Sequence, residues 1–371
     1  VLMLCFACAA FAQQSAVPAS QRDQSRPELS HRPPPDSGAN GKMQLDVVVT
    51  DDAGQPVGGL TQKDFTLFDN KKPRPILSFR AVDGSTGDGT RNDPPVEVIL
   101  LLDVTNTPLD VVGHERGRIE QFLRRNGGRL MQPTSLMIFN DQGVKGLPRP
   151  TRDGNQLADE LTKAETTAHS VLLTEQTEPE RVTMSLNALE RISEAANTKA
   201  GRTLLIWIGP GWPMLENPHV LFTAHDSAAQ FDRVVTISGE LRDARVTLYS
   251  IYPTDPAVTD EPHVQHYRSF LKGAPSVNQV RPGNLALPVL AIHSGGRALD
   301  VPADLGDEIA SCIDEAKFYY TLSVDPVNAK HVDEYHELAV RVARPGLRVR
   351  TSAGYYGEPG FQFSLPVLGG H

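Results

Sequence analysis

Residues 96–108 read VEVILLLDVTNTP. The run from Val96 to Leu102 is apolar almost throughout and of strand length. That is the pattern of a strand buried on both faces, as in a parallel sheet covered by helices. It then breaks into an acid and two hydroxyls, Asp103, Thr105 and Thr107. In open parallel sheets ligands bind at the carboxyl ends of strands, where the order of connections reverses. One carboxylate and two hydroxyls within five residues supply hard oxygens, which Mg²⁺, Mn²⁺ and Ca²⁺ prefer. A divalent cation on that set stays under-neutralised and seeks a further anionic oxygen from a partner. The alternative is local: Asp103 caps the following helix, and Thr105 and Thr107 satisfy turn amides.

Outward from this strand, apolar runs alternate with helical stripes, the order of a parallel sheet with right-handed crossovers. Ile119, Phe122 and Leu123 form the first stripe, and TSLMIFND follows as a strand, with a further one near Val144. Val182, Leu186, Leu189 and Ile192 precede the strand RTLLIWIG; Phe231, Val234, Val235 and Leu241 precede RVTLYSIYP. LPVLAIHSGGRAL starts as a helix, stops at Gly295-Gly296 and feeds an edge strand. The last helix puts Leu305, Ile309, Cys312 and Ala316 on one face, which makes Cys312 a core residue.

The two flanks differ. Residues 42–92 hold short β-branched runs separated by DDAG, QPVGG and DNKKP, and residues 318–371 mirror them. His336, Leu338, Val340 and Val342 alternate with Glu337, Ala339 and Arg341, the period of a half-buried strand. The expected fold is therefore α/β, a doubly wound and mostly parallel sheet over residues 93–317, Rossmann-like in pattern. An all-β, Ig-like region built from the N- and C-terminal segments flanks it, the segments pairing with each other. GSTGDG at 84–89 reads as the linker between the two.

The start of the chain has another character. VLMLCFACAAFA, residues 1–12, reads as the apolar part of a secretory signal peptide, with Ala10-Phe11-Ala12 placing cleavage before Gln13. Residues 13–41 are rich in Pro, Ser, Gln and charge and read as a disordered linker or tether. The expected location is extracytoplasmic, the periplasm or outside the cell, with no membrane span once the signal is removed. Cys5 and Cys8 leave with the signal, so Cys312 has no internal disulfide partner. A net charge of −9 over 371 residues leaves no electrostatic footprint for nucleic acid.

The D-x-T-x-T order, the α/β alternation and the helix end His293-Ser294-Gly295-Gly296-Arg297 resemble the von Willebrand factor type A (VWA) domain. VTDDAGQPVGGLTQKDF at 49–65, LLLDVTNTP at 100–108 and GLRVRTSAGYYG at 346–357 are similar, more narrowly, to the exported acidobacterial VWFA-related proteins. The resemblance implies a metal-ion-dependent adhesion site holding Mg²⁺ or another divalent cation, with Asp103, Thr105 and Thr107 as its first segment. A loop Thr, Thr174 or Thr177, would extend it. Where the family's central strand ends in Asp, this chain has Gly209.

Other signals are weaker. Trp212, beyond the Gly-Pro-Gly turn, is either an exposed partner-binding anchor or a ring folded over the strand end. His263 and His266 lie in one loop and His331 and His336 in another, and they read as solvated, since no cysteine cluster or HExxH supports zinc. No G-x-S-x-G elbow, Walker loop or S-x-x-K occurs. The expectation is a non-enzymatic binding module for a protein or cell-envelope ligand, or a metal-free scaffold of the envelope; an enzyme with an unrecognised site ranks last.

Overall fold

The computed structural model describes residues 42–84, 96–146, 149–164, 173, 177–212, 224–252, 267–300 and 304–359. The expected signal peptide and linker, Thr174, His263, His266 and residues 85–89 of the glycine-rich stretch lie outside them.

The chain first lays down four strands: β1 (Met43–Thr50), β2 (Phe65–Asp69), β3 (Lys72–Arg74) and β4 (Ser78–Asp83). An α/β unit follows. Its strands are β5 (Val96–Asp103), β6 (Arg129–Asn140), β7 (Gly143–Gly146), β8 (Thr151–Asp153), β9 (Arg202–Ile208), β10 (Val246–Tyr252) and β11 (Ala298–Asp300). Its helices are α1 (Leu109–Leu123), α2 (Gly154–Lys163), α3 (Glu178–Asn197), α4 (Ala224–Asp243), α5 (Leu287–His293) and α6 (Leu305–Asp314). Four strands close the fold: β12 (Phe318–Val324), β13 (Glu334–Val342), β14 (Arg348–Arg350) and β15 (Gly354–Gly357).

Strand β5 is the axis of the α/β unit. It runs parallel to β6 on one side and β9 on the other, in the order β11-β10-β9-β5-β6-β7. The side chains of β5 alternate between two cores. Val98, Leu100 and Leu102 pack with Val112, Ile119, Leu157, Ile309 and Cys312 from α1, α2 and α6. Ile99 and Leu101 pack with Leu186, Leu189, Phe231 and Leu290 from α3, α4 and α5. Both faces are covered, which is why the strand is apolar from Val98 to Leu102. The chain leaves β5 towards β6 and later returns to its other side at β9, so the strand order reverses between β5 and β9.

The two chain flanks share sheets. Strand β1 pairs with β12, and β2 with β13, both antiparallel, giving the sheets β14-β1-β12-β4 and β15-β13-β2-β3. They enclose a third core of Leu45, Val47, Val49, Phe65, Leu67, Tyr320, Leu322, Leu338 and Val340. Ion pairs tie this β region to the α/β unit. Arg245 makes a two-point contact with Asp46 of β1 at 2.6 and 3.1 Å, and Arg350 of β14 reaches buried Glu315, which also accepts from Tyr249 of β10. Cys312 is buried, as its stripe implies, and burial pushes its thiol up to about 12.

His336 corrects the solvated-loop reading. It lies on β13, is buried, and its Nδ1 meets Asp69 Oδ1 of β2 at 2.9 Å. The Tyr355 hydroxyl of β15 donates to the other Asp69 oxygen at 2.7 Å and itself accepts from Val327 N–H. A buried carboxylate needs such partners, and Asp69 finds them across three strands. Replacing His336 with Leu leaves Asp69 short of a partner inside the sheet. Urea unfolding of His336→Leu is expected to show a loss of about 2–4 kcal/mol, and a value below about 0.5 kcal/mol would contradict this role.

Candidate functional site

At its last residue β5 stands opposite Phe139 of β6, and one residue earlier opposite Ile208 of β9. Alternation sends Asp103 to the same face as Ile99 and Leu101, where Trp207 lies. The turn that follows is pinned to β6: the N–H groups of Val104 and Thr105 both donate to the Phe139 carbonyl, at 2.8 and 3.2 Å.

Asp103 is 0% exposed, so protein donors must replace its water. Its Oδ1 accepts from the Asn106 N–H at 3.0 Å. Its Oδ2 accepts from Asn106 Nδ2 and from the Trp207 indole N–H, each at 2.9 Å. Helix α3 holds Asn106 in turn. Ser185 Oγ accepts from Asn106 Nδ2 at 3.0 Å, and Arg181 Nη1 donates to Asn106 Oδ1 at 3.2 Å. Arg181 and Ser185 are themselves buried. The Asp103 side chain thus ties together β5, β9 and α3.

Thr105 and Thr107 are buried too, and their hydroxyls have no hydrogen-bond partner among the described residues. The same is true of both oxygens of Glu115, a 1% exposed residue of α1. Burial, and then the negative charge of Asp103, raises the Glu115 carboxyl to about 8. Burial raises Asp103 to about 6, opposed by its hydrogen bonds from Asn106 and Trp207. At neutral pH the first is a neutral acid and the second mostly a carboxylate. Burial lowers the Arg181 guanidinium, while Glu178 and Asp103 favour its charged form.

Gly209 stands where the VWA pattern that the sequence resembles has Asp, and its geometry accounts for the difference. Its φ of +139° is a conformation that favours glycine, and a Cβ there would sit 2.8 Å from Asp103 Cβ and 2.9 Å from Thr107 Oγ1. The space a second Asp would need is filled by the first segment of the motif. The unpartnered Thr105 and Thr107 hydroxyls are the oxygens such a cation would use, but the rest of the set does not fit an adhesion-type cation. Asp103 already accepts N–H donors at both oxygens, no second carboxylate has room at position 209, and all three motif side chains are closed to a partner's acid. Among the described residues no group of three or more His, Cys, Asp or Glu is placed to hold a metal ion.

Thr177, the proposed loop ligand, is the residue before α3. The residues of α3 that reach the Asp103 cluster are Arg181 and Ser185, one and two turns further on. Trp212 corrects the exposed-anchor reading. It is 4% exposed, donates its indole N–H to the Leu285 carbonyl at 2.9 Å, and packs edge-on against Trp207. The ring closes the core over the strand end. Asn106, Trp207, Glu115 and Arg181 were not singled out from the sequence. For Asn106 the signal is its place three residues after Asp103, from which its N–H can donate back to the carboxylate as at a helix N-cap; the other three sit within ordinary strand and helix patterns.

No family model and no curated protein matches the chain. Solved structures similar to it include the human COPII-coat protein Sec24c, at 9% identity and a TM-score of 0.34, and the VWA domain of SpRpn10, at 12% identity and 0.32. The first alignment covers 76% of this chain and 46% of Sec24c, so the chain spans less than half of that protein. The second covers 64% of this chain and 100% of the SpRpn10 domain.

Two outcomes follow from the geometry. An unfolded Glu115 titrates near 4.5 and the folded one near about 8. Between those values the folded chain holds a proton that the unfolded chain has lost, so stability falls as pH rises. Glu115→Gln removes this slope: its melting midpoint relative to the parent is expected to rise steadily from pH 5 to pH 8, and a constant difference would refute the buried acid. Gly209→Asp, which introduces the residue of the VWA pattern, is expected to lose about 2–4 kcal/mol in urea unfolding through strain and crowding. Unchanged stability with a new Mg²⁺ dependence would contradict the steric argument.

Proposed function

We propose that this chain is an exported, non-enzymatic interaction module of the VWA type that engages a protein or a cell-envelope ligand. The observation that carries this reading is the reversal of strand order between β5 and β9. Doubly wound sheets bind their ligands in the crevice at such a point, and the D-x-T-x-T segment of this chain sits there. Asp103 itself is buried, so contact falls to the rim. Leu109, the first residue of α1 and two positions beyond Thr107, is 53% exposed, an apolar side chain presented close to this strand end. Export rests on the reading of residues 1–12, and the non-enzymatic character on the absence of hydrolase and nucleotide motifs from the sequence. No helix among the described residues is long and apolar enough to cross a membrane.

The second reading, a metal-free envelope scaffold with an inert sheet edge, is favoured by the closure of Asp103. One substitution separates the two. Leu109→Arg changes the rim without touching the core. Crosslinking of the secreted protein to envelope extract is expected to lose its main adduct in Leu109→Arg while the melting midpoint stays put. Retention of the same adduct would assign the edge to the inert scaffold. Intact mass of the exported protein is expected to show Gln13 at the N-terminus, and a chain retaining residues 1–12 would refute the signal.

A further inference from the structure

We infer that Arg181 is the built-in counter-ion of Asp103 and, acting through Asn106, takes the electrostatic place that the family resemblance would give to a divalent cation. The argument begins with charge. A buried carboxylate in a low-dielectric setting needs either a proton or a positive charge nearby. Asp103 carries two-sided N–H contacts from Asn106 and Trp207, but these are neutral donors and leave a net negative charge. Arg181 is 7% exposed, on the first turn of α3, and its guanidinium stays ionised under conditions that would neutralise a lysine.

The amide of Asn106 bridges the two. Its oxygen accepts from Arg181 Nη1 at 3.2 Å, and its nitrogen donates to Asp103 Oδ2 at 2.9 Å. The amide dipole therefore lies along the field between cation and anion, its positive end at the carboxylate and its negative end at the guanidinium. Turned around, it would set oxygen against carboxylate and N–H against guanidinium, so both charges select the same orientation. Ser185 Oγ accepts the same amide group at 3.0 Å and donates to the Arg181 carbonyl at 2.7 Å, which keeps the bridge on helix α3.

The second carboxylate does not upset the balance. Glu115, close enough to feel the charge of Asp103, holds its own proton at neutral pH and does not compete for Arg181, whose charge is favoured by Glu178 at the start of α3 as well as by Asp103. In the family pattern a loop before this helix supplies a Thr ligand. Here the same helix supplies a cation that is covalently part of the chain. The consequence is chemical: a divalent ion on few anions attracts a partner's acid, whereas a paired guanidinium inside the fold does not.

The test is a double-mutant cycle on the full chain, read by melting midpoint, with a cation titration of the parent. Arg181→Gln is expected to lower the midpoint by several degrees in the parent and by less than half as much in Asp103→Asn, because the charge it served is gone. Arg181→Lys is expected to recover part of the loss, and it keeps the cycle readable if Arg181→Gln does not fold. Millimolar MgCl₂, MnCl₂, CaCl₂ or EDTA is expected to leave the parent unmoved. Equal losses of midpoint in both backgrounds would overturn the pairing. So would a saturable rise of the parent's midpoint with any of the three cations that disappears in Asp103→Asn.

Discussion

A carboxylate with no contact with water has to be completed by its neighbours, and at Asp103 that requirement organises the end of the central sheet. The residue terminates β5, the strand on which both α/β cores converge. Its oxygens draw in the backbone of the following turn, the indole of Trp207 from β9, and, through Asn106, helix α3. Strands β5 and β9 are already paired where the strand order reverses, and the Asp103 cluster fastens helix α3 to the end of that pair. Gly209 belongs to the same arrangement. With no Cβ, it lets the end of β9 close against Asp103 and Thr107.

The same economy of buried charge recurs elsewhere in the molecule. Glu315, after α6, is reached by Arg350 from β14 and by the Tyr249 hydroxyl from β10, while Asp46 of β1 is held by Arg245. Asp69 is completed by His336 and Tyr355 within the β region. Each acid joins elements far apart in sequence. Removing one partner of such a set costs more than the set contributes net, because the other group is left desolvated. The Glu315 and Asp46 sites lie where the β region meets the α/β unit and the Asp69 site lies within one sheet, while the apolar cores supply the bulk of the driving force.

What could be read from the sequence was whatever a local pattern encodes. The apolar run Val98–Leu102 reads as a strand covered on both faces. Gly295-Gly296 marked the end of a helix, and the stripe from Leu305 placed Cys312 inside. The position of Asp103 at a strand end followed from the same run. The partners of Asp103 did not. Trp207 looks like filler in an apolar strand, Arg181 like one more polar residue on a helix, and Glu115 like solvated charge, because burial of a polar group is decided by what packs over it. His336 was misread for the same reason: its partner Asp69 lies 267 residues away. Trp212 reads equally well as a surface anchor or a lid, and only the Leu285 carbonyl settles which.

The central claim, that Asp103 is completed from within the fold, is most directly tested at the Trp207 indole. The chain has two tryptophans, so their side-chain N–H resonances are readily assigned by NMR on ¹⁵N-labelled protein with a Trp212→Phe control. The Trp207 N–H is expected to exchange slowly with solvent and to keep its line width when Mn²⁺ is added in stoichiometric amounts. Rapid exchange, or paramagnetic broadening of that resonance that Asp103→Asn abolishes, would show an open carboxylate with a cation beside it and would contradict the account.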